Sequence, residues 1–138
     1  MLFASPAFAL TMFSFDSSPS SWVGQGESVY VTPEDDYLFT VRQGTLNHVS
    51  IRIASLNSPF VPEWDPSSGQ EYNYWTLDLA APSDDPLDLG FYADTARYPF
   101  QDEYQPGLTL SGNHRGNNRN GGFFEILEIA FDENIIWL

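Results

Sequence analysis

Cysteine and lysine are both missing from this chain of 138 residues. Without cysteine the chain has no disulfide framework and no thiol chemistry. Without lysine its positive charge comes from arginine alone, and five basic residues stand against nineteen acidic ones, for a formal net charge of −14. Nucleic acids and anionic membrane surfaces are polyanions, so this charge argues against both as partners.

Long apolar runs and amphipathic helical patterns are also missing. No run approaches the roughly 20 apolar residues of a membrane span. Ten Pro and ten Gly are spread along the chain, which limits segments to the length of strands. What the chain has instead is aromatic side chains in quantity, with eleven Phe, seven Tyr and four Trp.

Alternation with a period of two predicts the strands. Its clearest instance is 48–54, where Val49, Ile51 and Ile53 face inward and His48 faces outward. Strands are expected at 10–15, 28–32, 37–41, 48–54, 72–80, 87–92, 107–111, 123–131 and 135–138. The run 123–131 is apolar in both phases, so its register stays open.

About nine short strands separated by turns indicate an all-β fold, an antiparallel β-sandwich of jelly-roll or immunoglobulin-like type. The alternative is a β-barrel. We expect residues 10–138 to form this single domain, and the apolar ending at Trp137 and Leu138 leads us to suspect a truncated C-terminus.

Residues 1–9 are typical of the end of a secretory signal peptide. They are apolar and close on Ala7-Phe8-Ala9, a small-residue cleavage signal that follows Pro6. The basic start of such a leader is absent, so we interpret 1–9 as a remnant and expect a secreted or cell-surface protein. The alternative is an edge strand with alanines placed there by chance.

Part of the chain also resembles an uncharacterised domain of secreted bacterial proteins. The matching motifs are Gly24-Gln25-Gly26, Trp75-x-Leu77-Asp78, Ala96-Arg97-x-Pro99-Phe100-Gln101, Pro106-Gly107-Leu108, Ser111-Gly112, Arg115-Gly116 and Gly122-x-Phe124. The resemblance implies a β-sandwich and secretion, and it implies no reaction. Related domains often place a cysteine after the Arg-Gly pair, where this chain has Asn117.

The loop 112–122 is the first candidate site, because it carries two arginines and no acid. Guanidinium forks together with asparagine amides could hold an anion or a carboxylate. The ligand-binding residues expected in this loop and in the neighbouring corner at 97–101 are Arg97, Gln101, Arg115, Asn117, Asn118 and Arg119. The alternative is that these arginines pair with the acids of 82–88 or 102–103 and only fix the loop.

An aromatic platform and a calcium site are two further candidates. Trp64, Tyr72 and Tyr74 could stack on sugar rings, or could simply be buried. Asp84, Asp85 and Asp88 are candidate calcium ligands, as are the acids of 34–36, but neither cluster follows an ordered calcium-loop motif. Solvated turn acids are the alternative.

Catalytic motifs are absent: there is no G-x-S-x-G, no H-E-x-x-H and no Cys/His metal spacing. We therefore expect a secreted, non-catalytic binding or surface-assembly module whose partner is a carbohydrate or another extracellular protein. One alternative is a structural domain that pairs through its edge strands. The other is a glycoside hydrolase with paired carboxylates, whose spacing the sequence does not show.

Overall fold

Alternating side chains build nine strands in the parts of the chain that the structure, a computed structural model, describes: residues 11–56 and 73–131. They are β1 (Phe13–Asp16), β2 (Ser28–Val31), β3 (Tyr37–Thr45), β4 (His48–Ser55), β5 (Tyr74–Ala80), β6 (Gly90–Ala96), β7 (Gly107–Gly112), β8 (Arg115–Gly116) and β9 (Gly121–Ile126). The one helical segment in these ranges is a 3-10 turn, Pro33–Asp35. No helix among the described residues is long and apolar enough to cross a membrane.

The strands form two sheets of unequal size. β1 and β2 pair as a hairpin, and the other seven strands form one sheet in the order β3-β4-β5-β7-β6-β9, with β8 paired to β7. Pairing is antiparallel except between β6 and β7, which are parallel at Ala96 and Gly107. Within the described residues neither sheet closes on itself. The prediction of an all-β sandwich is confirmed, and the barrel alternative was wrong.

Trp75 is the centre of the first part of the core. It is 5 % exposed and packs with Val31 and Ile53, which are also buried. The rings of Phe13 and Phe15 lie 5.7 and 5.8 Å from the ring of Trp75, so the hairpin β1–β2 covers this end of the large sheet. The inward phase expected for β4 is therefore the buried one, since Val49 and Ile53 are both buried.

The second part of the core lies under the antiparallel pair of β6 and β9, called here the β6–β9 ribbon. Tyr92 and Phe124 sit opposite each other on its inner face with ring centroids 4.6 Å apart. They pack towards the cluster of Val49, Ala81 and Leu87. The ribbon and the hairpin β1–β2 thus cover the same side of strand β4 of the large sheet, because Val49 and Ile53 alternate onto that side.

Several predicted boundaries move. The strand expected at 37–41 continues as β3 to Thr45, and the turn lies at Leu46 and Asn47. The segment expected at 87–92 continues as β6 to Ala96, and the strand expected at 123–131 starts at Gly121 and ends at Ile126. The loop 112–122 is not continuous loop, since β8 pairs with β7 inside it.

Three predictions lie outside the described residues. They are the leader at 1–9, the final strand at 135–138, and the side chains of Trp64 and Tyr72.

Candidate functional site

The pairing of β6 with β9 brings together two of the chain's arginines. Arg97 follows the last residue of β6, and Arg119 lies two residues before β9 begins. Ala96 pairs with Gly121, so the two strand ends are held side by side. A depression of about 390 Å³ opens between them and is called here the arginine depression. It is lined by Ala96, Arg97, Phe100, Asn118, Arg119 and Asn120.

One buried threonine holds both walls of the arginine depression. The Thr109 hydroxyl on β7 accepts a hydrogen bond from the Tyr98 backbone N–H at 2.9 Å and donates to the Tyr98 carbonyl at 3.2 Å. It also accepts from Asn120 Nδ2 at 3.1 Å, and that amide reaches the Leu108 carbonyl at 3.3 Å as well. A hydroxyl offers one donor and two acceptor positions, so all of them are used. The loops that carry Arg97 and Arg119 are therefore fixed relative to the same strand.

Charge in the arginine depression differs in sign from that of the whole chain. Among the described residues no Asp or Glu lines it, although the chain has nineteen of them. Arg119 is exposed and has no hydrogen-bond or ion-pair partner among the described residues. Arg97 stacks on Phe100 with its Cζ 4.8 Å from the ring centroid, and Phe100 remains 70 % exposed. Two guanidinium groups, two amides and an exposed aromatic ring can bind a planar anion such as a carboxylate.

Arg115 lies elsewhere. Its Nε donates to the Val23 carbonyl at 3.1 Å, and its terminal amino group contacts Gln25 Oε1 at 3.2 Å. The side chain therefore links β8 to the loop between β1 and β2. The alternative in which the loop arginines pair with acids is not what the described residues show, since no ion pair there joins Arg97, Arg115 or Arg119 to an acid.

Only some of the residues expected to bind ligand line the arginine depression. Arg97, Asn118 and Arg119 come together, while Asn117 does not line the arginine depression. Gln101 faces a different depression of about 250 Å³, with Ser83, Asp84, Asp102 and Glu103. Its Oε1 atom is buried without a hydrogen-bond partner.

The acids expected to bind calcium are spread apart. Asp84 lines the depression beside Gln101, and Asp85 and Asp88 do not. The Asp88 carboxylate accepts a hydrogen bond from the Leu89 N–H at 2.7 Å. In the described parts of the chain no three His, Cys, Asp or Glu side chains are grouped so as to hold a metal ion. The calcium site stays a prediction without a geometry to support it.

Tyr74, the described member of the expected aromatic platform, is half-buried and held between neighbours. Arg52 Cζ lies 4.9 Å from its ring centroid, and the His114 ring meets it edge-on at 5.5 Å. Its hydroxyl accepts a hydrogen bond from the His114 N–H at 3.2 Å. These contacts occupy the Tyr74 ring, which the sequence analysis proposed as a stacking surface for sugar rings.

A His–Asp pair that the sequence pattern did not indicate lies below the 97–101 corner, with His48 buried and Asp78 half-buried. His48 Nε2 is 3.0 Å from Asp78 Oδ1, and the His48 ring stacks on Tyr98 with centroids 4.1 Å apart and an angle of 8°. Gly44 leaves room for this ring, since a methyl group there would lie 2.5 Å from Nδ1. Burial, and after it the charge of Asp78, raises the pKa of the Tyr98 hydroxyl.

The outward phase of His48 does not leave its side chain exposed. His48 does point to the outer face of β4, as its phase indicates, but it is only 9 % exposed because Tyr98 covers it. The signal that could have been used is that His48 and Asp78 share the outward phase on adjacent strands. The His48 ring supports the loop that carries Arg97 by stacking on Tyr98, and that stack covers the His48 ring.

Two exposed phenylalanines, Phe91 and Phe123, were also missed. They lie on the outer face of the β6–β9 ribbon with ring centroids 5.2 Å apart. Both occupy outward-facing positions of their strands, β6 and β9. The sequence did not show this for Phe123, because the run 123–131 is apolar at its inward and its outward positions alike.

Comparison of the chain with protein-family models, with curated proteins and with solved structures finds no match. The resemblance to secreted bacterial domains therefore stays a prediction. What the chain binds has to be argued from the contacts, exposure and charge of the residues described above.

Proposed function

We propose that this protein is a non-catalytic binding module for saccharides that carry a carboxylate, such as uronic acids. The observation that carries the proposal is the arginine depression, whose lining in the described part of the chain holds no acid, in a chain of net charge −14. The ligand carboxylate lies between the guanidinium groups of Arg97 and Arg119, and the amide of Asn118 contacts neighbouring hydroxyls.

The physical chemistry favours arginine for this role. A guanidinium presents donors in a fixed fork that matches a carboxylate in bidentate fashion. Arg97 is already oriented by its stack on Phe100, so less side-chain freedom is lost on binding. Arg119 is exposed and Arg97 is only half-buried, so we expect modest affinity that falls as salt is added.

The net charge of the chain adds selectivity. The surrounding acids repel a polyanion as a whole, and only a ligand that places its carboxylate in the arginine depression escapes that repulsion. A saccharide with one carboxylate among neutral hydroxyls fits this better than a dense polyanion such as a nucleic acid.

The test compares two substitutions with the same change of charge. Arg119→Gln removes a guanidinium from the arginine depression, and Arg42→Gln removes one from the exposed part of β3. Calorimetric titration with a glucuronate-containing oligosaccharide is expected to show about a tenfold loss of affinity for Arg119→Gln, the size of one charge-assisted hydrogen bond. Arg42→Gln is expected to bind as the wild type does.

A chemically reduced ligand completes the design. Reduction of the carboxyl group to a hydroxymethyl group leaves the ring and its other hydroxyls in place, and we expect it to abolish most binding. Equal binding of both saccharides, or equal losses in the two arginine variants, would show that the carboxylate is not what the protein recognises.

Export is part of the same proposal, because acidic polysaccharides are components of extracellular matrices and cell walls. It is supported by the apolar stretch 1–9 with its Ala7-Phe8-Ala9 ending. A reporter enzyme fused after residue 9, with the basic and apolar start of a leader supplied ahead of residue 1, is expected to leave a bacterial cytoplasm and to be cleaved after Ala9. Retention of the reporter inside the cell would contradict this.

A further inference from the structure

A second depression of about 520 Å³ adjoins the arginine depression on the β6–β9 ribbon. It is called here the aromatic depression and is lined by Phe91, Ala93, Asp94, Thr95, Gln105, Gly121, Gly122 and Phe123. Ala96 lines the arginine depression and Gly121 lines the aromatic one, and these two residues pair directly across the strands. The two depressions therefore lie side by side along one ribbon.

The aromatic depression has an exposed apolar floor. Phe91 is 60 % and Phe123 is 68 % exposed, and their rings are tilted by 35°. Both point outward because their chain neighbours Tyr92 and Phe124 turn into the core. Large aromatic side chains paired at the surface, next to polar groups, mark binding sites rather than packing.

The polar rim of the aromatic depression differs in charge from that of the arginine depression. Asp94 lines it, and no arginine does within residues 11–56 and 73–131. A bulge shapes this rim, since the register shifts between Tyr92 and Thr95 and Asp94 takes a positive φ of 52°. Gln105 Nε2 donates to the Asp94 carbonyl at 2.7 Å and holds the bulge in place.

We propose that the ligand is an oligosaccharide in which a neutral sugar adjoins the acidic one. This rests on the proposed function, since the acidic unit occupies the arginine depression. The neutral unit lays a C–H face on Phe91 and Phe123, and its hydroxyls bond to the Asp94 carboxylate. A second acidic unit there would meet Asp94 and be repelled.

Distance along the ribbon suits a short oligosaccharide rather than a single sugar unit. Strands rise about 3.3 Å per residue, so Phe91 and Arg97 are separated by roughly 15–20 Å along β6. A monosaccharide cannot contact both ends, whereas a short oligosaccharide can. We therefore expect affinity to increase from monosaccharide to tetrasaccharide.

The test uses three tetrasaccharides and glucuronate itself. One tetrasaccharide alternates glucuronate with N-acetylglucosamine, one contains galacturonate only, and one is the neutral chitin tetramer. Each is titrated against the wild type, Phe123→Ala and Arg119→Gln, with Tyr104→Ala as a control at an 81 % exposed aromatic outside both depressions. Melting curves establish that the variants are folded.

The alternating tetrasaccharide is expected to bind the wild type most tightly. Phe123→Ala is expected to lower that affinity about three- to tenfold and to leave binding of glucuronate unchanged. Arg119→Gln is expected to weaken binding of both ligands, and Tyr104→Ala of neither.

The outcomes separate the two proposals. If the galacturonate tetramer binds as well as the alternating one, or if Phe123→Ala behaves as Tyr104→Ala does, the neutral subsite is refuted while the carboxylate site stands. If no acidic saccharide binds, or if the chitin tetramer binds and Arg119→Gln has no effect on binding, the proposed function itself is refuted.

Discussion

Replacing Thr109 by valine tests whether one hydroxyl holds the arginine depression together. Valine keeps the shape of threonine and removes the hydroxyl. The change deletes three hydrogen bonds, two with the Tyr98 backbone at 2.9 and 3.2 Å and one with Asn120 at 3.1 Å. Thr109 is only 9 % exposed, so water replaces these partners poorly.

The size of the stability change depends on the polar groups that lose the Thr109 hydroxyl as a partner. Each hydrogen bond contributes about 0.5–1.5 kcal/mol net, and a buried group without a partner costs about 1–3 kcal/mol. Asn120 keeps its bond to the Leu108 carbonyl at 3.3 Å, which limits the loss. We therefore expect Thr109→Val to lower the free energy of unfolding by about 1–3 kcal/mol, or about 5- to 150-fold in the unfolding constant.

The assay is urea denaturation followed by tryptophan fluorescence, with Thr76→Val as the matched control. Thr76 lies on β5, is half-buried, and has no side-chain hydrogen bond among the described residues. We expect Thr109→Val to move the midpoint to lower urea with an unchanged slope, and also to weaken binding of acidic saccharides. Equal midpoints for the two valine variants would refute the role assigned to the Thr109 hydroxyl.

Three further predictions concern the core, the alkaline limit of stability and the N-terminal loop. Gly112→Ala is expected to cost about 1–3 kcal/mol by urea denaturation, because its methyl group would overlap Trp75, whereas Gly116→Ala, in open space, is expected to change stability by less than about 0.5 kcal/mol. Burial raises the pKa of Tyr98, so above pH about 10 the unfolded chain loses that proton first. The free energy of unfolding should then fall as pH rises through the folded-state pKa of Tyr98, and it should fall less steeply in Tyr98→Phe. If the free energy of unfolding of the wild type and of Tyr98→Phe changes equally with pH from 9 to 11, this prediction is contradicted. Arg115→Gln removes hydrogen bonds to the loop between β1 and β2, so we expect the free energy of unfolding to fall by about 1–2 kcal/mol in the same urea denaturation. The affinity for saccharide is expected to stay unchanged. A loss of affinity would show that Arg115 belongs to the binding site.

Strand patterns with one clear phase could be predicted from the sequence. The inward positions of Val49 and Ile53 in β4 follow from alternation alone, and both are buried. The register of β9 could not be predicted, because Phe123 and Phe124 are equally apolar. It is decided by the pairing of Phe124 with Tyr92, a contact between residues far apart in the chain.

The candidate site shows the same limit. The sequence pointed to Arg115, Asn117, Asn118 and Arg119 in the loop 112–122, and two of these four, Asn118 and Arg119, line the arginine depression. It could not separate Arg119 from Arg115, which is close in sequence but lies on β8 and contacts the loop between β1 and β2. Whether an arginine lies in the depression depends on which strands its part of the loop pairs with, and local sequence patterns do not give the order of strands in a sheet.

The β6–β9 ribbon joins the rest of the large sheet at a parallel bridge between Ala96 and Gly107. Such a narrow attachment makes the ribbon a candidate for sub-global opening, in which its amide protons exchange with deuterated solvent while the region around Trp75 stays protected. A saccharide bound across both depressions would close that opening, so ligand would slow deuterium uptake in 90–96 and 121–126 more than in 48–55.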